Sequence, residues 1–371
     1  MPLYLDNAAT TPICKEVLDE MLSSLKDFGN SESKYYCYAE NAKKNISIAR
    51  NRIANAVGCE PENVIFTSGA TEANNLIIKG FAEANPEKKK IIISSIEHSS
   101  VVFPCKYLEK KGYEIVKINV DSTGKIKLDE LENAIDDNTL LVSIIWVNNE
   151  IGTIQDIYAI DEICKRHGVF FHSDATQAIG KVNIDLSKYK ALMAITFTAH
   201  KIYGPKGIGA LILKNDSNGV KVNLVPLLHG GEQENGYRAG TLSNELIVGF
   251  GKACEMATKN IEKDNAVLLT LETELVSRLK NKFKDIFILN NNWYHRIPGL
   301  INIQLKGFNN MIILKEISPI IAASTGSACS VSKPSEVLKA IGLSDKEISW
   351  SIRLSLSKYN TIDDFDCIEE L

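Results

Sequence analysis

The chain reads as an α/β protein: a large doubly wound domain with a mainly parallel sheet, joined to a smaller α+β domain. Three observations predict it. Between Lys90 and Ile163, short apolar runs rich in isoleucine and valine alternate with helical patterns, as in successive βαβ units. Polar residues cluster just past those runs, at the strand ends where ligands gather in such sheets. With 371 residues and 44% hydrophobic content, the chain has the length of two domains and the means to bury a large core.

The chain opens on Tyr4-Leu5-Asp6-Asn7-Ala8-Ala9-Thr10-Thr11-Pro12, small and polar residues between a short apolar start and a helix signal. This reads as a loop packed closely against something, or equally as a plain N-terminal turn. Helical patterns follow from about Glu16 to Leu25 and from about Glu40 to Val57, the second with Ile46, Ala49, Ile53, Ala54 and Val57 at helical spacing. The segment between them, rich in Ser, Tyr and Asn, is a loop. Strands are predicted near Ile91 to Ser95, Glu114 to Ile118, Leu140 to Trp146, Val169 to Ser173, Ala191 to Phe197 and Ile208 to Leu213, with helices near Val101 to Lys111 and Ile157 to Arg166. A long helical stretch from about Asn244 to Phe283 leads into shorter strands at Ile286 to Leu289, Leu300 to Leu305, Ile320 to Ser324 and Trp350 to Leu356. The large domain is accordingly placed at residues 15–255 and the small one at 1–14 with 256–371.

Three strand ends carry the chemistry. Lys201 sits where one apolar strand ends and the turn Ile202-Tyr203-Gly204-Pro205-Lys206-Gly207 begins. Desolvation there lowers a lysine pKa and frees the amine to attack a carbonyl, the best known use being a Schiff base with pyridoxal phosphate. The plain alternative is a strand-end lysine with its head in water. In Val64-Ile65-Phe66-Thr67-Ser68-Gly69-Ala70-Thr71-Glu72, a strand meets a helix through small residues, which leaves backbone N–H groups and the positive helix end as a ready anion site, or forms one of the glycine turns that are common without a ligand. Asp174 closes a mostly apolar strand; a protonated pyridine nitrogen would partner it, while an N-cap for the next turn is the other reading. His98, Asn148, Asn149, Glu150 and Gln177 also stand just past strand ends, although a core histidine with a satisfied ring is the usual case.

Composition narrows the function classes. Net charge is −4, and the short run Lys88-Lys89-Lys90 suits a strand start better than a polyanion, so direct nucleic-acid binding is not expected. No apolar run approaches the roughly 18 residues of a membrane span, and Met1-Pro2-Leu3-Tyr4 lacks a basic and apolar leader, so the expected location is cytoplasmic. Eight cysteines without any Cys-x-x-Cys suggest neither a disulfide framework nor a metal site. No Gly-x-Gly-x-x-Gly or Walker pattern occurs, which argues against dinucleotides and nucleoside triphosphates.

With these residues in place, the chain resembles the cysteine desulfurases of the NifS/IscS type, within the class V group of fold-type I pyridoxal-phosphate enzymes. The resemblance runs from Tyr4 to near the C-terminus. It rests on the N-terminal segment quoted above, Thr67 to Glu72, Glu97-His98, Val147 to Gly152, Asp174-Ala175-Thr176-Gln177, the Lys201 stretch, Arg238-Ala239-Gly240-Thr241, Gly326-Ser327-Ala328-Cys329 and Ser351-Ile352-Arg353. It implies that Lys201 carries pyridoxal 5′-phosphate, that Asp174 pairs with the ring nitrogen and Gln177 with the ring hydroxyl, and that His98 stacks on the ring and moves protons. Asn149 would lie beside the ring hydroxyl and the substrate, and Arg353 would grip the carboxylate of L-cysteine. Ala70, Thr71, Thr198 and His200 would hold the phosphate together with Thr241 from a second subunit, which implies a homodimer. Cys329 would take the sulfur as a persulfide, leaving alanine, and hand it to an acceptor protein in iron–sulfur assembly, tRNA thiolation or DNA phosphorothioation.

The residues around Cys329, from Ala322 to Ser330, are almost all small, which suits a thiol that must move. Departures from the family accompany the matches. Four residues separate Cys329 from Pro334, about two fewer than in the family, which shortens the reach by about 7 Å. Between Gly231 and Arg238, glutamate and asparagine stand where glycine and arginine are expected, and Tyr35, Tyr36 and Tyr38 form a surface of their own. Two other functions fit the same chain: a related lyase or aminotransferase in which Cys329 is incidental, and a non-catalytic scaffold subunit of a sulfur-transfer complex.

Overall fold

The apolar runs of the sequence pair into three sheets. The structure, a computed structural model, describes residues 1–216, 219–291, 293–326 and 334–371. Its strands are β1 (Leu3–Tyr4), β2 (Val64–Thr67), β3 (Lys90–Ser94), β4 (Glu114–Ile118), β5 (Thr139–Ser143), β6 (Phe170–Asp174), β7 (Leu192–Thr198) and β8 (Gly209–Leu213), then β9 (Phe287–Leu289), β10 (Leu300–Leu305), β11 (Ile321–Ala322) and β12 (Ser351–Ser355).

Seven of these form one sheet in the order β2-β8-β7-β6-β5-β3-β4. Only β8 runs antiparallel to its neighbours, so the sheet is mainly parallel, as predicted. Its central strands are buried on both faces, which is why they read as continuous apolar runs. Alternate residues feed two cores. Ile92, Ile195, Phe197 and Ile212 face the one that takes helices Cys37–Val57, Ile157–His167 and Asn244–Lys259. Ile91, Ile93, Ala194 and Leu211 face the one that takes Ala70–Asn75 and Ser99–Glu109. Helices Cys37–Val57 and Asn244–Lys259 meet at Gly251, where a Cβ would come within 2.6 Å of the Ala49 Cα, so only glycine permits the approach.

A third core joins Leu5 to Leu271, Leu275, Ile301, Ile352, Phe365 and Ile368 beside the antiparallel sheet β12-β10-β9. β1 pairs in parallel with β11, which ties the first residues to this end of the molecule. Here the structure corrects the sequence reading. The stretch expected as one helix from Asn244 to Phe283 breaks at Asn260 (φ −132°, ψ 29°) into Asn244–Lys259 and Ile261–Phe283. The two apolar stripes serve different cores, and Asn260 turns the chain from one to the other. The strand expected from Ile320 to Ser324 shortens to Ile321–Ala322, and Ser324 makes only a bridge to Arg353. Tyr35, Tyr36 and Tyr38 are exposed, with Tyr38 tilted against Phe28 at 5.0 Å. Among the described residues, no helix is long and apolar enough to cross a membrane.

Candidate active site

The chain runs from β3 outward to β4 and returns to β5 on the other side of β3, so the connections leaving β3 and β5 diverge at their carboxyl ends. A cavity of 790 Å³ opens there. Ala70, Thr71, His98, Asn149, Asp174, Gln177, Thr198, His200, Lys201 and Arg353 all border it, from segments as far apart in sequence as the first turn after β2 and the last strand.

The turn after β2 is built to expose N–H groups. Gly69 is the N-cap of helix Ala70–Asn75 and offers no side-chain oxygen, so the first N–H groups of the helix are left for another acceptor. Glu72 reaches back to the Ser68 N–H at 2.8 Å with one oxygen and takes Arg238 Nε at 2.9 Å with the other. On the far side, a Cβ at Gly209 would lie 2.7 Å from the Gly69 Cα and 2.7 Å from the Phe197 carbonyl, so glycine alone lets β8 pass beneath the turn. Thr198 Oγ1 donates to the Ile208 carbonyl at 2.9 Å, and His200 Nδ1 lies 3.2 Å from Thr10 Oγ1. Burial, aided by the charges of Lys201 and Lys206, pushes His200 down to about 4, so its ring is neutral.

Asp174 ends β6 almost fully buried. Its carboxylate accepts Asn74 Nδ2 at 2.8 Å and the Thr176 N–H at 3.0 Å. Asn74 Nδ2 also reaches Ser100 Oγ at 2.8 Å, and that hydroxyl lies 2.8 Å from His98 Nδ1. His98 N-caps helix Ser99–Glu109 by accepting the Ser100 N–H at Nδ1, which leaves the ring proton on Nε2. Burial lowers the His98 pKa, Asp174 opposes the shift and Lys201 reinforces it. Beside it, Glu97 Oε1 takes the Ile145 N–H at 2.7 Å and the Ser94 hydroxyl, while Oε2 is buried with no partner among the described residues. Burial pushes Glu97 up to about 8, with the Asp174 charge adding to the rise.

Lys201 follows β7 in a single helical turn, and its Nζ donates to the Ala8 carbonyl at 2.7 Å and the Ala9 carbonyl at 2.6 Å. The N-terminal loop thus packs against the Lys201 amine, the first of the two readings its composition allowed. Gln177 Nε2 donates to the same Ala8 carbonyl at 2.9 Å. Arg353, 1% exposed, crosses from the third core to the cavity. Its Nη2 meets Asp6 Oδ1 at 2.7 Å and Ser324 Oγ at 3.0 Å, and its Nη1 meets the carbonyls of Asn149 at 2.9 Å and Gly326 at 3.2 Å. Asn148 turns inward, with Nδ2 on the Ile96 carbonyl and Oδ1 on the Glu150 and Ile151 N–H groups, so Asn149 is the member of the pair at the cavity.

Of the residues singled out in the sequence, Thr241 is exposed and does not border this cavity, and Cys329 lies outside the described residues. Sequence reasoning missed Asn74, Ser100 and the structural use of Ala8. Asn74 had left a signal: an amide in the same helical stripe as Ala73, Ile77 and Ile78, all buried.

A lysine, a buried aspartate and an N–H-lined turn on one cavity of a mainly parallel sheet are the marks of a pyridoxal-phosphate enzyme. Residues 3–368 match the class-V aminotransferase family, and the chain belongs to it. Over 380 residues it is 41% identical to a cysteine desulfurase IscS of Photorhabdus laumondii, spanning 100% of this chain and 92% of that one. A solved NifS-like protein superposes with a TM-score of 0.92 at 34% identity, covering 100% of this chain and 98% of that one. SspA in complex with cysteine gives 0.83 at 36% identity, covering 97% and 100%. Within the family, the chain stands among the cysteine desulfurases.

The cavity fits the cofactor on its own geometry. The uncapped first turn at Ala70 and Thr71 suits a phosphate, and the Asp174 carboxylate retains lone pairs for a protonated nitrogen.

Proposed function

We propose that residues 15–255 hold pyridoxal 5′-phosphate, while residues 1–14 and 256–371 bring Arg353 and Cys329 to it. The protein then converts L-cysteine to L-alanine and passes the sulfur, as a persulfide on Cys329, to an acceptor protein. The observation that carries this reading is the meeting of Lys201, Asp174 and Arg353 on one cavity.

When bound, the cofactor withdraws electrons from the substrate's α-carbon, which acidifies its proton and loosens the bond to sulfur. Ala70, Thr71, Thr198 and His200 would hold the phosphate, with Thr241 of the partner subunit completing the set. Asp174 would pair with the ring nitrogen, Gln177 and Asn149 with the ring hydroxyl side. Lys201 would carry the cofactor, and its amine would serve as a base for the α-proton of the substrate, with neutral His98 as a second proton carrier. Arg353 already holds one carboxylate, that of Asp6, and its guanidinium suits the carboxylate of the substrate. The thiolate of Cys329 attacks the substrate sulfur. The Cβ–S bond breaks, an S–S bond forms and Cβ gains a proton, so carbon is reduced as the transferred sulfur is oxidised. Alanine and the Cys329 persulfide together account for every atom of cysteine and the Cys329 thiol.

Thr241 is exposed and does not border its own chain's cavity, which supports a homodimer in which it serves the other site. All seven cysteines among the described residues are unpaired, which suits the reducing cytoplasm.

The test is to add L-cysteine to purified protein and quantify alanine and sulfide, in wild type, Cys329→Ser and Lys201→Ala. A yellow wild type making equal alanine and sulfide, with both lost in each variant, is the expected result. Alanine formation undiminished in Cys329→Ser would remove the persulfide from the mechanism, and a protein that binds no cofactor would remove the enzyme.

A further inference from the structure

Gln177 and Lys201 stand in a wall between two cavities. On one side lies the main cavity; on the other is a rear cavity of 60 Å³ whose lining includes Asn7, Lys181, Asp264 and Lys358. Ala8, Gln177 and Lys201 border both, whereas Lys181 borders only the rear one. Lys181 is therefore placed behind the cofactor site and out of its reach.

From there it contacts the wall directly. Lys181 Nζ donates to Gln177 Oε1 at 2.6 Å, while Gln177 Nε2 donates to the Ala8 carbonyl at 2.9 Å. A carbonyl can only accept, so the amide must turn its nitrogen toward Ala8 and its oxygen toward Lys181; the two contacts agree on one orientation. The same Ala8 carbonyl accepts Lys201 Nζ at 2.7 Å, so the amide and the cofactor-bearing amine share an acceptor. Lys181 is itself anchored: its N–H donates to the Ala178 carbonyl at 2.9 Å, and its own carbonyl accepts Asn265 Nδ2 at 2.9 Å. Its side chain is half-buried, and Asp264 in the same rear cavity is held by Lys358 Nζ at 2.6 Å. Burial, with the charges of Lys201 and Arg353, pushes Lys181 down to about 7, and in either charge state its N–H donates to Gln177.

We propose that Lys181 is a positioning residue: from behind the wall it fixes the Gln177 amide with its NH₂ group toward Ala8 and the ring hydroxyl, and so sets the strength and the electronic environment of cofactor binding. This rests on the reading of Gln177 as the partner of the ring hydroxyl. Without Lys181 the amide is held, among the described residues, by the Ala8 carbonyl alone, its oxygen loses the partner that completes the orientation, and the NH₂ group is less firmly fixed where a donor is needed.

The experiment measures the dissociation constant for pyridoxal phosphate and the absorption spectrum of the bound cofactor at fixed pH, in wild type, Lys181→Met, Lys181→Arg, Gln177→Ala and the Lys181→Met/Gln177→Ala double variant. Melting temperatures confirm that each is folded, and Lys181→Gln replaces Lys181→Met if that variant does not fold. Both single losses should weaken binding about tenfold, the size of one lost hydrogen bond, and shift the spectrum alike. The double variant should be no worse than Gln177→Ala alone, and Lys181→Arg should restore both readouts. If Gln177→Ala moves them and Lys181→Met does not, or if the two losses add, the proposal is overturned. If Gln177→Ala itself moves neither, the reading of Gln177 fails first and takes the proposal with it.

Discussion

Asn74 Nδ2 donates to Asp174 Oδ2 at 2.8 Å, and the amide that does so is fully buried. Its oxygen is fixed by the Thr196 hydroxyl at 2.5 Å, so the amide cannot flip, and its nitrogen also reaches Ser100 at 2.8 Å. One side chain thus joins the carboxylate proposed to pair with the ring nitrogen to the hydroxyl beside His98.

Asn74→Ala should therefore weaken cofactor retention without removing any residue proposed to touch the cofactor. The lost bond involves a charged acceptor, worth about 1.5–3 kcal/mol, so binding should fall by roughly 10- to 150-fold. Equilibrium dialysis against pyridoxal phosphate measures it; retention equal to wild type would show that Asp174 needs no such support.

Glu97 gives a pH signature. Its folded pKa of about 8 lies above the ordinary carboxylate value, so the folded state binds more protons than the unfolded one across the interval from about 4.5 to about 8. Its contribution to stability must fall as pH rises through that window. His200, pushed down to about 4, acts in the opposite direction between about 4 and about 6.5, so the comparison has to be made between variants. Relative to wild type, Glu97→Gln should gain stability steadily from pH 5 to pH 8 in urea denaturation. A difference that stays constant with pH would mean that Glu97 is not held protonated.

How much of this was legible in the sequence depends on what each residue answers to. Lys201, Asp174 and the turn at Ser68 to Thr71 were legible because each sits at the end of an apolar run, and strand ends of a doubly wound sheet converge on one crevice. The helix break at Asn260 was not, because apolar periodicity continues across it and only the destination of each stripe, in separate cores, decides the bend. Asn74 and Lys181 were hidden for a related reason: their partners, Asp174 and Gln177, are brought close by packing or by a local turn that periodicity does not report. Arg353 was legible as a strand arginine, but its engagement with Asp6, at the other end of the chain, was not.

Glu234 illustrates a further structural demand. It sits at φ 50°, next to Asn235 at φ 58°, in the segment that leads to Arg238 and Thr241. Its buried carboxylate pairs with Arg50 Nη2 at 2.5 Å and accepts the Phe66 N–H at 2.7 Å. Glu234→Ala would leave a largely buried guanidinium with only the Val64 carbonyl and the Phe66 ring among the described residues, and the Phe66 N–H without its carboxylate, and should cost about 3 kcal/mol in urea denaturation. Because the segment ends at the residue proposed to serve the partner's cofactor, dimer dissociation measured by sedimentation should increase in parallel. Destabilisation below about 1 kcal/mol would mean that water replaces the pair at little cost.

Arg353→Lys separates substrate recognition from cofactor binding. The guanidinium serves two directions at once, with Nη1 on the carbonyls of Asn149 and Gly326 and Nη2 on Asp6 and Ser324, which a single ammonium cannot reproduce. A lysine would keep the charge but lose the fork, so the Michaelis constant for L-cysteine should rise by roughly 30- to 150-fold, the equivalent of about 2–3 kcal/mol of charge-assisted hydrogen bonding. The spectrum of bound cofactor should remain that of wild type, because those contacts involve neither Lys201, Asp174 nor the turn at Ala70, and they hold Asn149 only by its main-chain carbonyl. Steady-state kinetics across cysteine concentrations, paired with that spectrum, decides the matter. An unchanged Michaelis constant would place the substrate carboxylate elsewhere in the cavity and leave Arg353 as the brace between the N-terminal loop and Gly326, whereas a changed spectrum would mean that the brace, and not the substrate, is what the arginine serves.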